Sequence, residues 1–410
     1  MVGPLRANRD FQLLWAGQAV SVLGSRVSAI AYPLLVLALT GSPALTGLVG
    51  FVGSLPYIVF QLPAGAVADR LDRRRLMIGC DVGRAAALAS IPTALALGRL
   101  TVGLVAAAAF VEGTLFVFFR LGEVAAIRAV VRPDQYTQAL SQNEGRVRAA
   151  TLLGQPIGGF LFALGAGAPF LADACSYLAS LGTLLLIRSP FQEERAGGAR
   201  HHVIAEVREG IAWLGQERFV LVTVLAAATT NLLFQALVLV IIVLERRRGA
   251  PPGLIGLILA GFGAGGVLGS LSATWLQRRL RPTAIVIGAV WVWALLTPLV
   301  AVVAQAALLT AVLAGLAFLG ACWNVAVNTY YLAVVPDRLV GRVSSVGSLA
   351  AFGALPLGSL AGGLLLQAAG PLASAAAIAA AMLGVAVLTT LSRSVRQGVR
   401  RLDSAPKPEA

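Results

Sequence analysis

The chain has 410 residues, 58% of them hydrophobic and only 12% charged, with 45 glycines besides, about half the charge that coats an ordinary soluble globule. Its net charge of +14 comes from 32 basic against 18 acidic residues, and the single lysine is Lys407 in the tail, which excludes a Walker A phosphate loop and any Schiff-base lysine inside the apolar body. Residues 27–68, 282–336 and 343–392 contain no Asp, Glu, Lys or Arg, so each run is about twice the ~20 residues that cross a bilayer.

Taken in chain order, the pattern predicts twelve membrane-spanning helices at 12–39, 45–68, 76–97, 101–127, 143–165, 169–187, 219–244, 253–276, 283–303, 306–334, 343–367 and 371–391. The first is too long for the apolar core of a cleavable signal and is expected to remain as a span. With the N-terminus in the cytoplasm, 25 of the 32 basic residues fall on the cytoplasmic side and 4 outside, which is the positive-inside asymmetry. The basic excess therefore reads as membrane topology rather than nucleic-acid binding, and both termini are expected in the cytoplasm. The expected location is the cytoplasmic membrane of a bacterium.

Internal repetition divides the chain. Pro43 and Gly47 open the second span as Pro252 and Gly256 open the eighth; Pro133 precedes the fifth as Pro336 precedes the eleventh; and Pro156 with Gly158 matches Pro356 with Gly358. The offsets of 209, 203 and 200 residues define two six-helix halves, 1–188 and 219–391. A polar connector, 189–218, joins them, and a tail, 392–410, follows. Val203, Val207, Ile211 and Leu214 recur in the connector at helical spacing, which predicts an amphipathic helix on the inner membrane surface. Duplicated six-helix halves are the layout of transporters that rock about a midplane site.

The residues after the second span carry a family resemblance. Gly65, Asp69, Arg70, Arg73 and Arg74 resemble the cytoplasmic G-x-x-x-D-R-x-x-R-R signature of the major facilitator superfamily, with Asp72 where a small glycine is usual. The whole chain is similar to its macrolide-efflux and enterobactin-export branch, as at Leu39 to Pro43 and Leu171 to Tyr177. The resemblance implies an all-α integral membrane protein with twelve spans in two pseudo-symmetric halves, working by alternating access as a proton-coupled exporter of an amphipathic drug, siderophore or secondary metabolite. It further implies no cofactor, a monomer in the lipid bilayer, and a small-molecule substrate and protons as partners. In the family the signature latches the cytoplasmic side, which gives that role to Gly65, Asp69, Arg70, Arg73 and Arg74, with Glu123 of span four as a third member. Asp69 and Arg73, four apart, share a helical face. Gly145, Gly154, Pro156, Gly158 and Gly159 resemble the superfamily's antiporter motif, Gln155 replacing the glycine before the proline. Generic close packing of small residues is the competing reading.

Ionisable groups deep in a span cost about 2.5–3.5 kcal/mol each on insertion scales and so mark function. Arg26 lies near the middle of span one and Glu112 near the middle of span four, and both are candidates for proton coupling. Asp81 with Arg84, and Arg120 with Glu123, are three apart and read as local pairs. An unneutralised Arg26 would favour acidic or neutral cargo over cations. In the second half, Asn231, Phe234, Gln235, Trp323, Asn324, Asn328 and Tyr331 offer a wall of rings and amides for an amphipathic substrate, with interhelical hydrogen bonding as the alternative. Cys80, Cys175 and Cys322 read as small core residues, and the adjacent His201 and His202 lack the spacing of a helical metal site, so no metal is expected. The remaining alternatives are a lipid flippase or an importer of the same fold, and, in another class, an intramembrane enzyme or a membrane sensor; the chain is expected not to be an enzyme.

Overall fold

The computed structural model describes residues 5–68, 71–191, 203–336 and 339–392. Among them the secondary structure is helical, with no strand, and ten helices are long and apolar enough to cross a membrane. The helices in order are α1 (Arg9–Thr40), α2 (Pro43–Ala68), α3 (Arg73–Ala96), α4 (Val102–Val130), α5 (Tyr136–Leu164), α6 (Ala168–Leu186), α7 (Val203–Gln216), α8 (Arg218–Arg247), α9 (Pro252–Arg279), α10 (Pro282–Leu296), the short α11 (Leu299–Val302), α12 (Ala306–Val334) and α13 (Val340–Leu391).

Local chemistry sets the boundaries. Asn8 caps α1 by accepting the Phe11 N–H at 3.1 Å, and Gly41 ends it with φ 65°, a left-handed conformation that glycine adopts without strain. Asp72, the odd residue of the signature, caps α3 by accepting the Arg75 N–H at 2.8 Å, so an acid there starts a helix rather than loosening a turn. Two differences from the expected spans have physical causes. Helix α5 begins at Tyr136, seven residues early, because its polar first turns continue the helix beyond the apolar stretch. The span predicted at 283–303 breaks at Thr297 and Pro298 into α10 and α11, since proline cannot donate the next helical hydrogen bond. Val340–Leu391 is two helices joined at a kink at Gly370, whose φ of 77° and ψ of 172° are not helical, and the kink falls between the spans expected at 343–367 and 371–391. Helix α7 forms in the connector, where an amphipathic helix was expected, with Leu214 buried and Ile211 exposed.

The chain divides into two compact units, residues 1–200 with 245–260, and residues 201–244 with 261–410. In the first, α1 packs on α5 and α6, α2 on α4, and α3 on both α4 and α6. Leu5, Phe11, Leu14, Met77, Phe119 and Ile127 join a buried cluster at one end of that bundle. In the second unit α10 lies against α12 and α13. There Gly261, Gly265 and Gly269 of α9 meet the backbone of Thr310, Ala314 and Phe318 on α12 with no room for a Cβ between them, a ridge repeating every four residues. Helix α7 rests on α13, where Gly210 meets the Arg342 carbonyl and Glu209 pairs with Arg342.

Candidate functional site

The first unit buries a polar network, and the helical period builds it. Gln18, Ser21, Ser25 and Ser28 are spaced 3, 4 and 3 along α1 and so share one face. Asp173, Ser176, Tyr177 and Ser180 form the matching stripe on α6. Between them α3 inserts Arg84, only 2% exposed, and α4 adds Glu112. The Arg84 Nη2 donates to Glu112 Oε1 at 3.0 Å, to the Tyr177 hydroxyl at 2.7 Å and to Ser25 Oγ at 3.2 Å. The guanidinium lies 3.9 Å from the Tyr177 ring centroid and 3.9 Å from Asp81 Oδ1. Tyr177 in turn donates to Glu112 Oε1 at 3.0 Å.

Two further carboxylates flank this centre. Asp173 accepts from Ser28 at 2.5 Å and from Ser176 at 3.1 Å, and the Tyr177 hydroxyl lies 3.4 Å away. Asp81 accepts from Ser180 at 2.6 Å, and Ser180 receives the Gln18 amide at 2.9 Å. Both aspartates are fully buried, whereas the Glu112 side chain keeps 20% of its surface open. Three carboxylates thus surround one guanidinium, an excess of two negative charges if all were ionised. In a medium of low dielectric an uncompensated excess of that kind is costly. Glu112 is the one carboxylate of the three with part of its surface open.

The two mid-span charges do not pair: Arg26 lies on another face of α1, its Cβ against Gly154 of α5, and the Glu112 carboxylate is taken by Arg84. The expected local pair of Arg120 with Glu123 is also replaced. Glu123 bonds Arg146 of α5 at 2.6 Å, both side chains being buried, since a partner on a packed neighbour excludes water better than one on the same helix face. Only the Asp81 with Arg84 pair forms within one helix as expected.

Asp69 and Arg70 of the signature lie outside the described residues, and Gly65 falls in the last turns of α2. Arg73 and Arg74 donate to the carbonyls of Phe191 at 3.3 Å and Leu185 at 2.9 Å. In α5, Gly154 meets Arg26, Gly158 meets the Val27 carbonyl and Gly159 the Pro252 carbonyl, each too closely for a side chain, and Pro156 sits inside the helix; Gly145 touches nothing. In the second unit Asn231 donates to the Ala351 carbonyl at 2.9 Å and Gln235 to Ser359 at 3.1 Å, so both amides tie α8 to α13. Phe234 meets Trp293 edge-on with centroids 5.3 Å apart, Trp293 meets Trp323 at a tilt with centroids 6.2 Å apart, and Tyr331 donates to the Val340 carbonyl at 3.1 Å. Asn324 and Asn328 remain exposed on α12. Sequence reasoning missed Asp173, Tyr177 and the serines; the polar stripes on α1 and α6, each inside an apolar helix, were the signal available. Among the described residues no group of His, Cys, Asp and Glu could hold a metal ion.

Comparison with known proteins follows the same lines. A sequence profile of the major facilitator superfamily, described as transmembrane secretion effector, matches residues 1–408. Macrolide efflux protein A of Streptococcus pyogenes is 27% identical over 218 residues, which are 52% of this chain and 53% of that protein, so the chain matches about half the length of this relative. Multidrug efflux pump Tap of Mycolicibacterium fortuitum is 26% identical over 399 residues, 94% of this chain and 95% of the relative. Among solved structures, a bacterial homologue of the iron transporter ferroportin has a TM-score of 0.71 at 15% identity, covering 97% of this chain and 100% of that one. A bacterial homologue of the human lysosomal transporter Spinster has a TM-score of 0.70 at 15% identity, covering 99% and 100%. At that identity the likeness is one of fold.

Proposed function

Because the chain belongs to the transmembrane secretion effector family of the major facilitator superfamily, we propose that this multi-pass membrane transporter is a proton-coupled exporter of amphipathic small molecules. Outward transport is the reading favoured by relatives named as a macrolide efflux protein and a multidrug efflux pump. Twelve spans in two six-helix halves accommodate the architecture, with α3 counted as a span despite its charges and α13 as two spans that meet at Gly370. Both ends of the chain are then cytoplasmic, and the membrane is the bacterial cytoplasmic membrane.

The observation that carries the coupling is the cluster of Glu112, Asp81 and Asp173 around Arg84. A proton entering at Glu112 weakens the bond to Arg84, which can then turn toward the aspartates. Substrate binding on the open face has the reverse effect, so one carboxylate reports cargo and proton to the same helices. Asn324 and Asn328 serve as candidate cargo contacts in the second unit, while Asn231 and Gln235 serve packing. Asp69 with Arg73 remains the proposed cytoplasmic latch. The test is efflux from proteoliposomes under an imposed pH gradient. Accumulation should follow the gradient and collapse with a protonophore; transport that continues at full rate after both pH gradient and potential are lost refutes proton coupling.

A further inference from the structure

We propose that Tyr177 is a proton relay: its hydroxyl passes the proton taken up at Glu112 on to Asp173, which makes Asp173 the site that holds the proton while cargo moves. The proposal rests on the proton-coupled reading and names the residue and the second acid through which that coupling runs.

One oxygen serves both acids. The Tyr177 hydroxyl lies 3.0 Å from Glu112 Oε1 of α4 and 3.4 Å from Asp173 Oδ2, one turn back on its own helix. Arg84 holds the same oxygen in place by donating to it at 2.7 Å, and Ser25 Oγ stands 2.9 Å away. A hydroxyl has one hydrogen to give and two lone pairs that accept. With Arg84 on one lone pair, Tyr177 can donate to one carboxylate and receive from the other, and an ionised carboxylate takes the hydrogen ahead of a neutral serine oxygen. Asp173 is fully buried, and its other side-chain partners are Ser28 at 2.5 Å and Ser176 at 3.1 Å, neither of which bonds to a second acid. Among the described residues Tyr177 is therefore the group that links Asp173 to a carboxylate with open surface.

The charged and titratable groups on the packed helices offer no second bonded route. On α3, Arg84 stays protonated, and Asp81 bonds Ser180 and pairs with Arg84 without a bond to Tyr177. On α1, Tyr32 meets Phe170 edge-on at 5.0 Å with its buried hydroxyl bonded to neither acid, and Arg26 lies against Gly154. On α5, Glu144 pairs with Arg148, and Arg146 pairs with Glu123 of α4.

The transfer balances. Before it, protonated Glu112 donates to the Tyr177 oxygen while Tyr177 donates to ionised Asp173. The Glu112 O–H bond breaks as a new O–H bond forms on the tyrosine, and the tyrosine's own proton passes to Asp173 Oδ2. Afterwards Asp173 donates to Tyr177, and Tyr177 donates to ionised Glu112, the direction that bond takes at 3.0 Å in the structure. Tyr177 is neutral at both ends and Arg84 keeps its charge, so the net change is one negative charge moved from Asp173 to Glu112. Because Asp173 accepts from Ser28, the same step alters a bond between α6 and α1.

The test uses the full chain in lipid nanodiscs and follows carboxylic-acid C=O bands by infrared spectroscopy after a rapid drop in pH, which needs no substrate. Glu112→Gln and Asp173→Asn identify the two bands, and aspartate carrying heavy carbon in its side-chain carboxyl separates them without a variant. Asp173 should gain a proton in the unmutated protein. Tyr177→Phe keeps the ring beside Arg84 and should slow that gain by about 10²-fold, the low end of what a positioned proton-transfer group contributes, while the Glu112 band rises as before. An Asp173 band that never responds, one that rises as fast without the hydroxyl, or equal disturbance of both bands overturns the relay. Should Tyr177→Phe fail to fold, a ring-fluorinated tyrosine at 177 keeps the hydroxyl and makes it more acidic; an Asp173 rise unaltered by that change overturns the relay as well. Uphill efflux of dansyl-phenylalanine methyl ester, an uncharged amphipathic probe, from proteoliposomes under a pH gradient separates the two readings. If the probe is pumped although Asp173 takes no proton through Tyr177, the relay falls and coupled export stands; if the relay kinetics hold but the gradient moves no probe, coupled export of that probe falls and the relay stands.

Discussion

Replacing Glu112 by Gln keeps the shape of the side chain and one acceptor oxygen while removing the charge and the titration. In the structure Oε1 of Glu112 accepts two bonds, from Arg84 and from the Tyr177 hydroxyl, both at 3.0 Å. A hydrogen bond to a charged group is worth about 1.5–3 kcal/mol and a neutral one about 0.5–1.5 kcal/mol; the bond from Tyr177 becomes neutral and the bond from Arg84 keeps only the charge of its donor, so the change weakens each by about 1 kcal/mol and the pair by about 2 kcal/mol. That is enough to lower the melting temperature of the purified protein and too little to prevent folding, because Asp81 and Asp173 still neutralise Arg84. Transport should divide cleanly. In proteoliposomes, uphill movement driven by a pH gradient should fall to background, whereas exchange of labelled for unlabelled substrate, which needs no net proton transfer, should continue. Gradient-driven accumulation at the unmutated rate would show that the carboxylate carries no proton, and the coupling argument built on it would fail.

Removing the cation instead is more severe: Arg84→Gln leaves two buried aspartates and the partly open Glu112 without a counter-charge and should cost about 3–5 kcal/mol, read as a collapse of thermal stability, while Arg84→Lys should recover much of it. Gly158→Val should destabilise the first unit by at least ~1–3 kcal/mol because the new side chain meets the Val27 carbonyl, and Gly145→Ala should be silent because nothing lies within 4 Å; melting of the two variants side by side checks the contrast. Asn231→Ala should lower stability by about 0.6–1.7 kcal/mol through the lost bond to Ala351 without altering which substrates are moved. Asn324→Ala should change apparent substrate affinity with little effect on melting, and the opposite pattern for the two asparagines would reverse their assigned roles.

Much of the architecture was legible because a bilayer imposes a simple rule: charge-free stretches of a known length must be helices. Helices α1, α2, α9 and α12 start and stop within a few residues of the hydrophobic runs that encode them. The break at Pro298 was less visible, since hydropathy measures how apolar a stretch is and not where its backbone bends, whereas the kink at Gly370 falls between the spans expected at 343–367 and 371–391. Glu112 stood out because an acid in mid-span is rare. Its partner did not, because spacing along one helix reveals neighbours three or four residues away, whereas Arg84 reaches it from α3, 28 residues earlier. The same limit hid the Glu123 pairing with Arg146, and it made Asn231 and Gln235 look available until α13 was seen to accept from them. Asp173 and Tyr177 were passed over as isolated polar letters in an apolar helix, although their spacing with Ser176 and Ser180 matched the stripe on α1.

The glycine ridge of α9 also bears on how such a protein can change over generations. Where Gly261, Gly265 and Gly269 lie against the α12 backbone, any added carbon collides with main chain, which has no alternative rotamer to adopt. Cys322 extends the seam, its thiol 3.5 Å from the Gly269 carbonyl. The two helices therefore behave as a single beam, and natural variation cannot tune one against the other by small steps. Adaptation to new cargo is confined to the remaining faces, and on α12 the face turned away from the seam is the one that carries Asn324 and Asn328. A rigid spine with a freely editable side lets a transporter's chemistry drift while its moving parts stay the same.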